Sequence, residues 1–193
     1  MRLRQKVLLI VFIVYVPINS GLARYNRIVE ERFPQAILTT TRAERIPQLV
    51  EEGGFGWTGA DLWADYKISN YLTKVQLLDF VPWPKAPSPK LCLLIPRETT
   101  RSNVTAEGNR IAIPTKYANL ALNYLEMNNI VATPRFFSGK VEEQIRFRNA
   151  DSAIDIVCSG KTARRLDLSI DEIIFDNAGL VLLKCSGGEE YGK

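Results

Sequence analysis

The sequence predicts an α/β protein built as two small lobes. Three observations carry that expectation. Apolar runs of strand length alternate with helical periodicities, some runs are apolar at nearly every position, and the polar, turn-rich stretch from Arg97 to Asn109 separates two such series. A chain of 193 residues is long enough to bury a real core in this form. The divisions read this way are residues 1–97 for the first lobe, 98–168 for the second and 169–193 for a return to the first.

Val7 to Val16 is a run of ten apolar residues behind the basic stretch Met1 to Lys6, a pattern shared by signal peptides and buried strands. Ten residues are too few to span a bilayer. The β-branched content and the turn Pro17-Ile18-Asn19-Ser20-Gly21 favour a parallel strand, with a cleaved signal as the alternative. Leu22, Tyr25, Ile28, Val29 and Phe33 then recur at helical spacing until Pro34. Ala36 to Thr41 reads as a strand, Arg42 to Glu52 as a short helix closed by Gly53-Gly54, and Phe55 to Gly59 as a strand and turn. Leu77 to Val81 and Lys90 to Ile95 read as further strands of the first lobe. Between them, the four prolines of Pro82 to Pro89 exclude a central strand.

The second lobe opens with a strand at Arg110 to Ile113. A helix follows from Tyr117 to Asn128, with Leu120, Ala121, Tyr124 and Leu125 on one face. Val131 to Phe137 is the next strand, Val141 to Phe147 a helix, and Ala153 to Val157 a strand buried on both faces. Ile173 to Phe175 and Gly179 to Leu183 are expected to return to the first lobe.

Composition limits the chemistry. The chain has no histidine, which excludes Ser-His-Asp and Cys-His nucleophilic sites and any imidazole base or ligand. The net charge of +4 is scattered, without the basic run of a nucleic-acid tail, so small anionic ligands suit it better than nucleic acid. Cys92, Cys158 and Cys185 are odd in number and sit in apolar runs, as free thiols of a reducing compartment do. The expected location is cytoplasmic, with no membrane partner.

The strand Ala153 to Val157 delivers the chain into Cys158-Ser159-Gly160-Lys161-Thr162, where a helix begins. Backbone N–H groups without intrahelical partners gather at such a junction and stabilise an anion. Gly160 lets a ligand approach, Ser159 and Thr162 add hydroxyls, and Lys161 adds a charge. The loop is therefore expected to hold a phosphate. A plain helix cap by Ser159 or Thr162 is the competing reading of the tetrapeptide alone. It is not a Walker A loop, because Asp155 stands where that motif needs glycine. Asp155 lies inside an apolar strand, where an unpartnered carboxylate is costly. It must meet a ligand, such as ribose hydroxyls, or an Arg partner.

Arg110-Ile-Ala-Ile-Pro-Thr-Lys-Tyr-Ala-Asn-Leu120, Tyr124-Leu125, Ser138-Gly-Lys-Val-Glu142 and Asp151-Ser-Ala-Ile-Asp-Ile-Val-Cys-Ser-Gly-Lys-Thr162 together resemble the catalytic chain of the ATP phosphoribosyltransferases. Arg42-Ala-Glu-Arg-Ile-Pro47, Val50-Glu51, Gly56-Trp-Thr-Gly-Ala-Asp61 and Leu77-Leu78-Asp79-Phe80 resemble the first lobe of that family. The likeness runs from about Pro17 to Leu183. It implies a two-lobed fold like a type II periplasmic binding protein, with parallel or mixed sheets and the active site in an interlobe cleft. The implied reaction transfers the phosphoribosyl group of phosphoribosyl pyrophosphate to N1 of ATP, with Mg2+ accompanying the pyrophosphate, as the first step of histidine biosynthesis.

By the same resemblance, Ser159, Gly160, Lys161 and Thr162 hold the 5-phosphate and Asp155 the ribose hydroxyls, while Glu142 and Thr115 face the cleft. A short form is implied, because the chain ends where the family's extra regulatory domain would begin. Such chains form oligomers with a regulatory subunit related to histidyl-tRNA synthetase. Two departures stand in the first lobe. Asn19-Ser20-Gly21-Leu22 replaces a turn that usually carries Lys and Arg, and Gly53-Gly54-Phe55-Gly56 is shorter than usual and lacks an acidic residue. Arg24, Arg42 and Lys116 are the candidates to compensate. The alternative function is a divergent binding protein that keeps the phosphate loop without transfer activity.

Overall fold

The computed structural model describes residues 13–18, 22–83, 87–176 and 178–186. In chain order the elements are β1 (Ile13–Pro17), α1 (Asn26–Arg32), β2 (Ile37–Thr41), α2 (Ile46–Glu52), β3 (Phe55–Gly59), α3 (Ala60–Ser69), β4 (Val75–Pro82) and β5 (Lys90–Pro96). There follow α4 (Arg101–Thr105), β6 (Arg110–Pro114), α5 (Ala118–Met127), β7 (Thr133–Phe137), α6 (Glu143–Arg146), β8 (Ser152–Val157), α7 (Lys161–Arg165), β9 (Leu168–Phe175) and β10 (Gly179–Cys185). The described chain divides by its contacts into two compact units. One takes the residues up to Thr58, Lys74–Asp79 and those from Val181 on; the other takes Gly59–Thr73 and Phe80–Leu180.

The first unit is organised by a five-stranded sheet of order β2-β1-β3-β10-β4. β1 runs parallel to both neighbours, with Ile13 opposite Ile37 and Val14 opposite Phe55. Val14 and Val16 are buried, as are Ile46 and Val50 of α2. The helix lies so close to β3 that a Cβ on Gly56 would stand 2.4 Å from Ile46 and 2.5 Å from Val50, so only glycine fits there. Pro47 opens α2 and Gly53, at φ +138°, closes it, as the sequence signals anticipate. The strand expected at Val7–Val16 is seen at Ile13–Pro17. The basic stretch 1–6, the first part of the apolar run, 7–12, turn residues 19–21 and the tail 187–193 lie outside the described residues, as do 84–86 and 177.

The second unit holds a sheet of order β7-β6-β8-β5-β9. β6 is parallel to β7 and β8, whereas β5 is antiparallel to both β8 and β9. Here the structure departs from expectation. Lys90–Ile95 was expected among the first-lobe strands and Ile173–Phe175 in a return to that lobe, yet β5 and β9 both belong to the second sheet. Leu91 to Ile95 are all buried, and β8 and β9 supply the neighbours that such a strand needs on both edges. An apolar run carries no mark of which sheet will take it. Helix α3 was not anticipated either. Its buried residues are Ala60, Leu62, Trp63 and Asp65, so an acid interrupts the apolar stripe by which helices are recognised. α5 buries Leu120, Ala121, Tyr124 and Leu125 as expected and packs against α3. Cys92, Ala112, Val141, Ala153 and Ala163 form one buried cluster that joins the sheet to the segments around α6 and α7.

Candidate functional site

The parallel trio β7-β6-β8 determines which loops meet. Ile111 faces Ser152 and Ala112 faces Ala153 on one side of β6, and Pro114 faces Phe137 on the other. Three strands pointing the same way bring their carboxyl-end turns to one edge of the sheet, the edge at which α/β proteins bind ligands. Those turns carry the residues singled out from sequence. Thr115 and Lys116 follow β6, Ser138–Glu142 follow β7, and Cys158–Gly160 follow β8.

Asp155 is partly buried near the end of β8. Its Oδ1 accepts the Ile156 N–H at 2.7 Å. Glu142 lies beside it, next to Val141, which is anchored in the same buried cluster as Ala153. Burial first, then the Glu142 contact, pushes Asp155 up to about 7, against the opposing pull of the Ile156 N–H and the Lys116 charge. The structural alternative for Asp155 was an Arg partner. The carboxyl instead meets a second acid, an arrangement costly to maintain for stability alone.

Tyr117 was not singled out from sequence. It is buried, and its hydroxyl donates to Asp61 at the start of α3. Burial and the Asp61 charge raise its phenol well above the ordinary value, with Asp155 contributing further. The Lys116 ammonium lies 4.8 Å from the Tyr117 ring centroid, a cation–π contact. Asp65, one turn along α3, accepts the Leu120 N–H at 2.8 Å and an Asn119 amide N–H at 3.0 Å, and burial raises its carboxyl. Asp65 thus satisfies one of the backbone donors left open at the start of α5. The Thr-Lys-Tyr-Ala-Asn run contained the signal, since a tyrosine and an asparagine flanking a helix start need polar partners when buried.

At the loop itself, Gly160 adopts φ +66°, in the left-handed region, and is the residue before α7. No side chain caps this helix, and Ser159 Oγ stands 3.5 Å from the Lys161 N–H, too far for a good cap. The plain-cap reading by Ser159 or Thr162 is not what the loop forms. Arg164 folds back over it, donating from Nη2 to the Ser159 carbonyl at 3.0 Å. A Cβ on Gly160 would stand 3.1 Å from Arg164 Nη1. Ser159, Lys161 and Thr162 are exposed, so the loop offers two hydroxyls and, with Lys116 and Arg164, three cations. A separate concavity of about 600 Å³, lined by Thr100, Arg101, Thr105, Asn128 and Ile130 among others, contains none of these residues.

The model of the ATP phosphoribosyltransferase family matches residues 42–187. The chain belongs to the ATP phosphoribosyltransferase family. Relatives of that name include those of Sulfurisphaera tokodaii, 32% identical over 75% of this chain and 49% of the relative, and Ignicoccus hospitalis, 31% identical over 81% and 54%. The chain thus spans about half the length of the curated relatives it matches. Among solved structures, the ATP phosphoribosyl transferase (HisG:HisZ) complex of Thermotoga maritima aligns with a TM-score of 0.73 at 17% identity, covering 91% of this chain and 88% of that one. The ancestral amino acid-binding protein AncCDT-1 aligns with a TM-score of 0.58 at 11% identity, covering 92% and 82%. These likenesses agree with the α/β, periplasmic-binding-protein-like fold expected of the family. Among the described residues, no helix is long and apolar enough to cross a membrane.

Proposed function

We propose that this chain transfers the phosphoribosyl group of phosphoribosyl pyrophosphate to N1 of ATP, releasing pyrophosphate, as the first step of histidine biosynthesis. The observation that carries the reading is the convergence, at the carboxyl ends of β6, β7 and β8 in a chain of this family, of an uncapped cationic loop and an acid pair. In this reading Ser159, Gly160, Lys161 and Thr162 bind the 5-phosphate through hydroxyls, backbone N–H groups and charge, while Asp155 and Glu142 hold the ribose hydroxyls. Thr115 lies beside Lys116 on the neighbouring turn.

In the transfer, the bond from C1 of the sugar to the pyrophosphate oxygen breaks and the bond from C1 to N1 of ATP forms. Positive charge develops on the ring and negative charge on the leaving oxygen. The acids suit the first and Lys116 suits the second, while Arg164 stays with the 5-phosphate loop. We assign Mg2+ to the substrate, entering with the pyrophosphate and neutralising its charge, as the family resemblance implies. The assignment extends to an oligomer with a regulatory subunit related to histidyl-tRNA synthetase and to a cytoplasmic location. Support for a partner comes from the related Thermotoga assembly, and for the compartment from three free cysteines.

The test is release of pyrophosphate from phosphoribosyl pyrophosphate, ATP and magnesium, measured with and without such a partner chain. Turnover in either condition is expected. Retained ligand binding with no turnover in both would replace this reading by the divergent binding protein.

A further inference from the structure

Several cations of the second unit are paired with carboxylates. Lys90 meets Asp176, Arg97 meets Asp167, Arg101 meets Asp171 and Glu172, and Arg110 meets Asp151. Lys116 is held differently. Its ammonium lies 4.8 Å from the centroid of the Tyr117 ring, and among the described residues no carboxylate forms an ion pair with it. The two ways of holding a cation differ in what they leave behind. A carboxylate fixes the cation and cancels its charge, whereas the negative face of a ring fixes it and leaves the charge free to meet an anion.

The ring is itself fixed. Tyr117 is buried, and its hydroxyl donates to the Asp61 carboxylate in the first turn of α3. An anionic acceptor makes this a charge-assisted bond and commits Asp61 to the phenol rather than to Lys116. Helix α3 is in turn tied to α5 through Asp65, which accepts the Leu120 N–H and an Asn119 amide N–H, so ring and acceptor share one framework. Because β6 is the middle strand of the parallel trio, the turn carrying Lys116 lies between the turn of Ser138–Glu142 and the turn of Cys158–Gly160.

We propose that Asp61 and Tyr117 are positioning residues: the ring, anchored at its hydroxyl by Asp61, presents Lys116 with its charge uncancelled to the diphosphate that leaves in the transfer. This rests on the phosphoribosyl reading above and adds how the chain holds the cation that meets the leaving group. A lysine ordered before the ligand arrives loses less conformational freedom on binding, so the ring should strengthen diphosphate affinity roughly three- to tenfold.

The experiment has two arms on the full chain. In the first, NMR follows the Lys116 ε-methylene without ligand, the signal being identified by its disappearance in Lys116→Met. A methylene above a ring face is shifted upfield by the ring current. We expect that shift in the wild type and in Asp61→Asn, whose carbonyl still accepts the phenol proton, and its loss in Tyr117→Leu and Asp61→Ala. An ordinary lysine position in the wild type overturns the platform, and a shift kept in Asp61→Ala overturns the anchor. If Asp61→Ala does not fold, Tyr117→Phe, which keeps the ring without the hydroxyl, tests the anchor in its place.

In the second arm, calorimetry gives affinities for inorganic pyrophosphate with magnesium and for ribose 5-phosphate. Tyr117→Leu should weaken pyrophosphate binding roughly three- to tenfold, leave ribose 5-phosphate little changed, and cost nothing further when made in Lys116→Met. An equal loss with and without Lys116, or equal losses for both ligands, makes Tyr117 purely structural and overturns the proposal. Ribose 5-phosphate bound without pyrophosphate overturns it as well. If the wild type binds neither ligand while the upfield shift is present, the phosphoribosyl reading falls and the Asp61–Tyr117–Lys116 arrangement stands.

Discussion

Replacing Asp155 by Asn should make the folded protein more stable at pH 8 while impairing ligand binding. Asparagine keeps the shape. Its carbonyl can accept the Ile156 N–H that Asp155 Oδ1 accepts at 2.7 Å, and its amide can donate permanently to Glu142. What it removes is the cost of ionising an acid beside another acid. In the folded chain Asp155 sits at about 7, against 3.8 when unperturbed. An acid raised on folding contributes stability that is fully present below the unfolded value and lost as pH climbs through the folded one. Wild-type stability should therefore fall between about pH 4 and pH 7.

Three pH units at about 1.4 kcal/mol each set a ceiling of about 4 kcal/mol, and partial solvent access brings the expected gain to about 2 kcal/mol. For a chain of this size that is a rise in Tm of roughly 5 °C. Urea unfolding of both proteins at pH 4 and pH 8 is the assay. The gain must be near zero at pH 4 and full at pH 8. An equal gain at both values, or a loss at pH 8, refutes the reasoning that burial beside Glu142 holds the proton.

Three further outcomes follow from the loop and from α3. Gly160→Ala should lose about 1–2 kcal/mol, because an L-residue resists a φ of +66° and its Cβ pushes Arg164 off the Ser159 carbonyl. Gly160→Asp, placing a charge where the phosphate is proposed to bind, should weaken ribose 5-phosphate binding at least tenfold more than the Ala variant does; equal affinities would show the loop holds no anion. Asp65→Ala leaves the buried Leu120 N–H without its acceptor and takes from the Asn119 amide one of two, the other being Ser69 Oγ at 3.2 Å. It should cost about 1–3 kcal/mol in chemical denaturation, and a change under 0.5 kcal/mol would contradict the buried contact, by the usual cost of an unmet buried donor.

Local chemistry by itself determined much of this protein. The glycine closing α2, the apolar face of α5 and the strand-to-loop junction at Asp151–Thr162 were legible because spacing, turn residues and burial pattern act within a few residues of each other. The same local signals, with the family motifs, pointed to Thr115, Glu142, Asp155 and Ser159–Thr162 as site candidates. Absence of histidine excluded whole classes of chemistry before any fold was known.

Only the tertiary structure decided the rest. It placed β5 and β9 in the second sheet, since an apolar strand fits any sheet with open edges and its partners are settled by long-range pairing. It brought Glu142 against Asp155, Tyr117 against Asp61 and Arg164 over Gly160. The first two pairs are separated by 13 and 56 residues, and no local rule acts over such distances. A sequence states that Asp155 needs a partner. Which partner it gets depends on where the folded chain puts Glu142 and Lys116 around it.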